Sequence, residues 1–414
     1  MTGTHRTALA ASVTIVFCFA AALCEGFDIQ AAGVAAVGLS RGWHPSAHDL
    51  GLFFSAGNFG LFLGALVGGP LTDRFGSRGV LIGSIATFGI FSLLTSQAPN
   101  LWSLVGMRTL TGFGLGGAMP NLIVLAAQSS RSQSRNARIA TSYIGMPIGG
   151  AIASLLVPLQ NWRWIFIIGG TAPLVVAVAM TFFMPAAPAG LTPSRTNTNA
   201  KRFAEGFRAL LGFERLWHTL LLWAGFFLMQ VTFQIMLNWL PLLMQARGLA
   251  KHAVSFAQTG FNLGGAAAAL LMGFLLDRRA RLPSIGASVV ALPAVLLLLA
   301  NAPTGSALLV ALPLLVGAAI LSFQVILYGV ANLSYPTAVR GAGMGAAVGI
   351  GRLGAIAGPY FTALLLGSGR TAPQVITAIL PLALICGLCV ATLGWRAFRR
   401  EPAAALERPG EAHG

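Results

Sequence analysis

Two similar stretches decide the fold of this chain. The first is Gly69-Pro-Leu-Thr-Asp-Arg-Phe-Gly-Ser-Arg78, and the second is Gly273-Phe-Leu-Leu-Asp-Arg-Arg-Ala-Arg281. Their aspartates, Asp73 and Asp277, are separated by 204 residues, close to half of the 414-residue chain. A charged turn repeated at half the chain length is typical of transporters built from two homologous helix bundles, with the substrate site between the bundles near the middle of the bilayer.

The residue types in these turns also indicate a role. Glycine lets two helices approach closely, an aspartate can face a helix N-terminus or an arginine, and arginines hold a loop at the membrane face. The alternative is an ordinary charged turn, which two copies at matching positions disfavour. We therefore predict conformational gating loops that contain Asp73, Arg74, Arg78, Asp277, Arg278 and, before a later span, Arg340.

The composition excludes most classes of protein. Apolar residues make up 56% of the chain and charged residues only 9%, and the mean hydropathy is +0.78. A soluble domain carries about 25% charged residues. The 51 glycines and 21 prolines lie within apolar stretches, where membrane helices tolerate them. A soluble enzyme, a secreted disulfide module and a disordered scaffold are therefore excluded in favour of a polytopic membrane protein in a lipid bilayer.

The apolar runs are long enough for twelve crossings, since each crossing needs about 20 residues. We predict an all-α membrane protein with two six-helix bundles related by pseudo-two-fold symmetry. The N-terminal bundle is expected in residues 1–184 and the C-terminal bundle in 216–398, with a linker in 185–215 between them and a tail in 399–414. The predicted spans are 9–38, 50–71, 79–97, 101–127, 136–159, 163–184, 216–246, 252–276, 283–302, 305–330, 341–366 and 373–398.

The basic residues predict the orientation. Nineteen of the 26 Lys and Arg fall on one side of these spans and five on the other. Because cytoplasmic loops carry the excess of positive charge, both termini are expected in the cytoplasm, as is the 185–215 linker. The net charge of +16 is accordingly a topology signal. It does not indicate nucleic acid, because the basic residues form short clusters between apolar runs and do not gather on one face.

Four charged residues lie inside the predicted spans, namely Glu25, Asp28, Arg108 and Arg352. Each is costly there unless paired or hydrated, so a functional role is the first hypothesis. Glu25 and Asp28 share a helix face and cannot both ionise cheaply in a low dielectric, so one of them is expected to carry a proton. We assign proton coupling to Glu25, Asp28 and Arg108, the alternative being that Arg108 only neutralises Asp28. Arg352, near mid-depth, is the expected anchor for a substrate carboxylate.

Polar residues recur at helical spacing in several spans, a pattern that faces a bundle interior and not lipid. Gln230, Gln258 and Asn262 belong to these stripes. Hydrogen bonding between helices without any ligand is an open alternative for each position. Nearby aromatic residues, among them Tyr360, make a pocket for a hydroxylated phenyl ring plausible. As substrate-binding candidates we take Gln234, Asn238, Gln324, Tyr328, Asn58 and Asn121, together with Arg352.

No cofactor or metal site is predicted. Cys386-x-x-Cys389 lies in an apolar span without polar partners, and Ser46 with Asp49 indicates a helix cap in preference to a metal cluster with His48. Phosphate-loop and hydrolase motifs do not occur. The expected coupling ion is the proton, and the chain is not expected to be an enzyme.

Several motifs resemble one family. The first quoted turn, Arg108-x-x-x-Gly112-x-Gly-x-Gly and the Tyr335-Pro-Thr-Ala-Val-Arg-Gly run resemble the major facilitator superfamily. Within it, Glu25-Gly-Phe-Asp-x-Gln-Ala-Ala-Gly33 and Gly351-Arg-Leu-Gly resemble the aromatic acid:proton symporter family, and Asn238-Trp-Leu-Pro resembles its branch for 3-(3-hydroxyphenyl)propionate. Ser77, Ala280 and Gln128 depart from the superfamily pattern at the cytoplasmic turns.

This resemblance implies a monomeric secondary transporter of the bacterial inner membrane that imports a small aromatic carboxylate together with protons. Span five, Gly145-Met-Pro-Ile-Gly-Gly150, lacks the Gly-Pro-x-x-Gly-Gly pattern of the superfamily's antiporters, which favours import. Two alternatives stay open, a proton-coupled exporter of drugs or organic acids and a membrane sensor that binds aromatic acids without carrying them. An intramembrane enzyme is disfavoured because no nucleophile and base are visible.

Overall fold

The structure, a computed structural model, describes residues 3–129, 141–142, 144–159, 161–185, 212–276, 281–335 and 337–406. Helices joined by short turns make up this part of the chain. In chain order the helices are α1 Gly3–Gly42, α2 Ala47–Ser96, α3 Leu101–Gln128, α4 Gly145–Ser154, α5 Arg163–Phe183, α6 Phe213–Ala246, α7 Lys251–Leu276, α8 Arg281–Asn301, α9 Leu308–Ser334, α10 Thr337–Gly367 and α11 Ala372–Leu406.

Ten of the described helices are long and apolar enough to cross a membrane. The α2 helix has 50 residues and would extend about 75 Å, far more than a hydrocarbon core of about 30 Å. It is broken at Gly76, whose φ of 75° and ψ of 155° suit glycine because it has no Cβ. The segments on either side of Gly76 correspond to the predicted spans 50–71 and 79–97. The arrangement of twelve spans in two bundles stays a prediction. The predicted gating residues Asp277 and Arg278 lie outside the described residues.

Close helix packing explains the glycine content of the first half. The α2 and α3 helices form the most extensive contact in the molecule. A Cβ at Gly112 would lie 2.0 Å from the carbonyl oxygen of Gly57, so the two backbones meet where no side chain fits. The α1 helix packs on α4 and α5, while in the second half α7 packs on α9, α6 on α10 and α8 on α11.

The turns define two ends of the molecule. At one end, the short-loop end, Trp43 meets Trp162 edge to face at 5.5 Å, and Arg163 donates hydrogen bonds to the carbonyls of Ser96 and Ala98. At the opposite end, the linker end, lie Gly76, the α9–α10 junction and the end of α5 that precedes residues 186–211. The sequence predicts that the short-loop end faces outward.

A cap predicted from the sequence is confirmed at the start of α2. The Ser46 hydroxyl accepts from the Asp49 N–H at 3.2 Å, and the Asp49 carboxylate accepts from the Ser46 N–H at 3.0 Å. This reciprocal pair satisfies two N–H groups that a helix start leaves unpaired. Among the described helices, the most extensive contacts between the two halves of the chain are those of α2 with α10, α4 with α7 and α1 with α6.

Candidate functional site

A buried ion pair joins α1 to α3. The Arg108 Nη1 donates to both carboxylate oxygens of Asp28, at 3.0 and 2.9 Å, and Arg108 Nη2 donates to the Asp28 carbonyl at 3.4 Å. The Ser92 hydroxyl adds a bond to Asp28 Oδ1 at 3.3 Å, and the guanidinium lies 5.6 Å from the Phe166 ring centroid. Asp28 is 0% exposed and Arg108 is 4% exposed. The two charges therefore compensate each other inside the first half.

Glu25, one helical turn before Asp28, has no such partner. It is 1% exposed, and its Oε1 is buried and accepts no hydrogen bond from any described residue. Arg352 of α10 and Asp28 are the charged groups near enough to interact with it electrostatically. Because a buried carboxylate without a donor is costly to ionise, Glu25 differs from Asp28 in lacking an ion-pair partner.

Arg352 is the complementary group on the other half. It lies near the middle of α10 and is half-buried. Among the described residues it has neither a hydrogen-bond partner nor an ion-pair partner within 4 Å. Its neighbour Gly351 lies close to the side chain of Gln230 on α6, at 3.3 Å from the position of a Cβ. A guanidinium held at mid-depth with free donors can bind a carboxylate at two points.

Aromatic and amide groups lie at the level of Arg352. The rings of Phe226 and Tyr328 meet edge to face, with centroids 5.2 Å apart, and Gln324 lies one turn from Tyr328 on the same face of α9. The side-chain oxygens of Gln230 and Gln324 are buried and accept no hydrogen bond from any described residue. We define the mid-depth cluster as Glu25, Phe226, Gln230, Gln324, Tyr328 and Arg352.

Three of the predicted binding residues are bonded to one another across the two halves. Gln234 on α6 donates from Nε2 to the Asn58 side-chain oxygen on α2 at 3.0 Å. Asn238 donates from Nδ2 to the side-chain oxygen of Gln234 at 2.9 Å and to its carbonyl at 3.0 Å. In this conformation these amides form a bridge between the halves and are not free to bind a ligand.

A second bridge contains residues that the sequence did not single out as binding candidates. Asn262 on α7 donates to the Gln30 side-chain oxygen at 3.1 Å and to the Ser154 hydroxyl at 3.3 Å, while Gln30 donates to the Leu237 carbonyl at 3.2 Å. Ser255 donates to the Ser154 carbonyl at 2.8 Å. The sequence feature that could have identified this bridge is the position of Gln30, a polar residue two positions after Asp28 in an apolar span.

Asn121 is not brought to the mid-depth cluster. It accepts from the Thr72 hydroxyl at 2.9 Å and donates to the Gly117 carbonyl at 2.9 Å, so it bonds α3 to α2. It lies 13 residues from Arg108, or about 20 Å along the helix. Tyr360 also lies away from the cluster, since its ring contacts His48 at the short-loop end.

The predicted gating residues that the structure describes lie at the linker end. Arg78 donates three hydrogen bonds to the Met180, Thr181 and Met184 carbonyls, at 3.1, 2.9 and 3.1 Å, and so caps the end of α5.

The other two arginines of this set make local contacts. The Arg74 guanidinium lies 5.3 Å from the Phe75 ring centroid, and Arg340 donates to the Tyr335 carbonyl at 3.3 Å. Asp73 is exposed. The described residues contain no cluster of three His, Cys, Asp or Glu side chains that could hold a metal ion.

The model of the Major Facilitator Superfamily matches residues 18–359 and 241–413. The chain belongs to the major facilitator superfamily. It is 36% identical over 395 residues to the 3-(3-hydroxy-phenyl)propionate transporter of Escherichia coli (strain K12), covering 95% of this chain and 96% of that protein. It is 31% identical over 401 residues to the 4-hydroxybenzoate transporter PcaK of Pseudomonas aeruginosa, covering 89% of this chain and 90% of that protein.

Solved structures agree on the fold of this superfamily. The chain is similar to a bacterial homolog of the human lysosomal transporter Spinster, solved in an inward-facing and occupied conformation, with a TM-score of 0.75 and 17% identity. The match covers 97% of this chain and 99% of that one. The resemblance found in the sequence is therefore confirmed. The chain is a multi-pass membrane transporter and not an enzyme.

Proposed function

We propose that this transporter imports a hydroxylated aromatic carboxylate, 3-(3-hydroxyphenyl)propionate or a close analogue, together with protons and without any cofactor. The observation that carries the proposal is the placement of a buried acid, Glu25, and a mid-depth cation, Arg352, on opposite halves of the chain, close enough to interact electrostatically but without an ion pair within 4 Å. Relatives with 36% and 31% identity are named as transporters of aromatic acids that carry a ring hydroxyl, which supports the substrate class.

The substrate carboxylate binds Arg352. A guanidinium offers two parallel donors that match the two oxygens of a carboxylate, and this bidentate pairing is among the strongest side-chain interactions. The phenyl ring lies against Phe226 and Tyr328, which face each other at the same level. The ring hydroxyl donates to the buried oxygen of Gln230 or Gln324, each of which lacks a donor within the described residues.

Proton coupling follows from competition for Arg352. While the site is empty, Arg352 is the cation that compensates an ionised Glu25. When a substrate carboxylate takes Arg352, Glu25 loses that compensation and binds a proton, because an isolated charge is costly at this depth. Substrate and proton then cross together. The Asp28–Arg108 pair holds α1 against α3, and this fixes the direction in which Glu25 faces.

Alternating access completes the mechanism. We assign the chain twelve spans in two six-helix bundles that rock about the mid-depth cluster, in a monomer of the bacterial inner membrane with both termini in the cytoplasm. Among the described residues, six hydrogen bonds join the halves on the side of the cluster nearer the short-loop end, and none of the six involves a charged side chain. This distribution supports an inward-open state, similar to the inward-facing conformation in which the Spinster homolog was solved.

Uptake into proteoliposomes tests the proposal. Purified protein is reconstituted with an acidic exterior and an alkaline interior, and labelled 3-(3-hydroxyphenyl)propionate is added outside. We expect accumulation that a protonophore abolishes. Uptake that does not depend on the pH gradient contradicts symport. Accumulation that occurs only when the interior is acidic indicates export in the cell. Substrate binding without accumulation indicates a sensor. Liposomes without protein and liposomes with the Asp28→Asn variant are the controls.

A further inference from the structure

A cavity lies at the short-loop end, away from the mid-depth cluster. Its volume is about 500 Å³, within the usual range for sites that bind small molecules. It is enclosed by the start of α2, the end of α6, the α8–α9 turn and the α10–α11 turn, so both halves of the chain contribute to it. The function proposed above does not use it.

The lining of this cavity, the outer pocket, is apolar with two cations. Trp239, Leu243 and Leu366 contribute apolar walls, and the cationic side chains are Arg247 and Arg370. None of the described residues that line it is acidic. A lining of this kind favours the binding of a flat apolar ligand that carries a single negative charge.

The charged side chain of Arg247 is buried in the wall of the outer pocket and does not lie on the surface. It is 4% exposed, and its two terminal nitrogens donate to the carbonyls of Leu299 and Ala302 at the end of α8. Its own carbonyl accepts from the Gly305 N–H at 3.2 Å. The Nε is buried and has no partner among the described residues. Burial lowers the pKa of Arg247, yet a guanidinium stays protonated at neutral pH. The pocket wall therefore holds a fixed cation without a carboxylate partner in the described chain.

Arg370 is the exposed cation at the pocket edge. It lies in the exposed α10–α11 turn, where its backbone N–H donates to the Leu365 carbonyl at 3.2 Å. The acid closest in sequence to the pocket lining, Asp49, is held in the cap of α2 by the Ser46 N–H. Arg370 is therefore available to an incoming anion.

We infer that the outer pocket is a first docking site for monoanionic aromatic carboxylates that arrive at the short-loop end. Arg370 binds the carboxylate, Arg247 supplies the positive potential behind it, and the ring lies on the Trp239 wall. This inference rests on the proposed function for the substrate class and for the direction of transport. Because α2 and α10 both line the pocket, separation of the halves would open a path from it toward Arg352.

The first test is kinetic. Arg370→Gln is expected to raise the KM for uptake of 3-(3-hydroxyphenyl)propionate from the short-loop side about 5-fold, since a charge-assisted hydrogen bond contributes roughly 1 kcal/mol or more. The maximal rate should stay within two-fold, and the KM for efflux from the linker side should not change. Arg41→Gln, at an exposed cation outside the pocket, is the control. An unchanged uptake KM, or an equal rise in Arg41→Gln, overturns the inference.

The second test does not depend on transport. Equilibrium binding of labelled 3-(3-hydroxyphenyl)propionate is measured in detergent on the Arg352→Gln variant, in which the mid-depth site is disabled. We expect residual weak binding that is lost when Arg370→Gln or the pocket-filling Leu366→Trp is added. Absence of residual binding, or residual binding that survives both additions, overturns the docking site. Failure of wild-type uptake with residual binding intact would contradict the proposed function alone.

Discussion

Arg108 and Asp28, 80 residues apart in sequence, form a fully enclosed ion pair in which one guanidinium nitrogen reaches both carboxylate oxygens at 3.0 and 2.9 Å. Glu25, on the same helix one turn away, is equally buried but unpaired. The two acids of span one therefore have different surroundings, and the predictions below follow from that difference.

Asp28→Asn leaves Arg108 as a buried, uncompensated cation. Removing one partner of a buried ion pair costs about 3–5 kcal/mol, so the thermal unfolding temperature in detergent should fall clearly. Accumulation of substrate should also be lost. In the double variant Asp28→Asn/Arg108→Gln, part of the stability should return while accumulation stays absent. If the single variant is as stable as wild type, or still concentrates substrate, the role of the pair is wrong.

Glu25→Gln removes the proton acceptor but preserves shape and burial. We expect exchange of labelled for unlabelled substrate across the membrane to continue, because Arg352 is still present, whereas accumulation driven by a pH gradient is lost. Exchange should also lose its dependence on external pH. The control is Asp49→Asn, an acid in the cap of α2, which should accumulate substrate as wild type does. Gradient-driven accumulation by Glu25→Gln would contradict the assignment of the proton to this residue.

Arg352→Gln removes the carboxylate anchor. A bidentate charged pair contributes about 1.5–3 kcal/mol, so the KM for substrate should rise roughly 10- to 100-fold. The KM of Arg352→Lys should lie between those of Arg352→Gln and wild type, because lysine keeps the positive charge but lacks the planar guanidinium. Steady-state uptake and equilibrium binding measure the effect. Equal KM values in all three proteins would show that the anion binds elsewhere.

Asn262→Ala removes two hydrogen bonds that join the halves, to Gln30 and to Ser154. Each net hydrogen bond contributes about 0.5–1.5 kcal/mol, so the ratio of outward-open to inward-open molecules should rise about 5- to 100-fold. Distances between spin labels at Arg41→Cys and Ser368→Cys, both at the short-loop end, report the change. The native cysteines 18, 24, 386 and 389 are buried, which limits background labelling.

The matched control for this change is Asn301→Ala. Asn301 is exposed, and its amide bonds only to the Leu297 carbonyl of its own helix among the described residues. The label distances should then match those of the labelled parent. A distance distribution in Asn262→Ala identical to that of Asn301→Ala would show that the amide bridge does not hold the short-loop end closed.

Arg78→Gln removes three hydrogen bonds to the carbonyls at the end of α5. Carbonyls at a helix end have no partner within the helix, so we expect a loss of about 1–3 kcal/mol in stability and slower transport. Arg78→Lys should lose less stability than Arg78→Gln, because it keeps a cation near the C-terminus of α5. Thermal unfolding and uptake rate are the readouts, and the neighbouring exposed Arg74→Gln serves for comparison. Equal stability of all four proteins would remove Arg78 from the gating loops.

Much of the fold and of the candidate site could be predicted from local properties of the chain. The position of Glu25, Asp28 and Arg108 inside apolar spans indicated that these three residues act together, and the structure pairs Arg108 with Asp28. The stripes of amides indicated an interior face. They could not indicate whether an amide meets the other half, as Asn58 does, or a neighbouring helix, as Asn121 does. That choice depends on helix rotation, which is set by packing over the whole bundle.

The sequence by itself determined that the chain is a membrane transporter with charged turns repeated at half its length, because hydrophobic length and charge placement are read residue by residue. Only the tertiary structure decided that Asp28 is the paired acid and Glu25 the unpaired one. The two are three residues apart and so point about 60° from each other around one helix, and their surroundings depend on which distant helix approaches each direction. Contacts between residues 80 or more apart, such as Asp28 with Arg108, follow from that approach and from no local pattern.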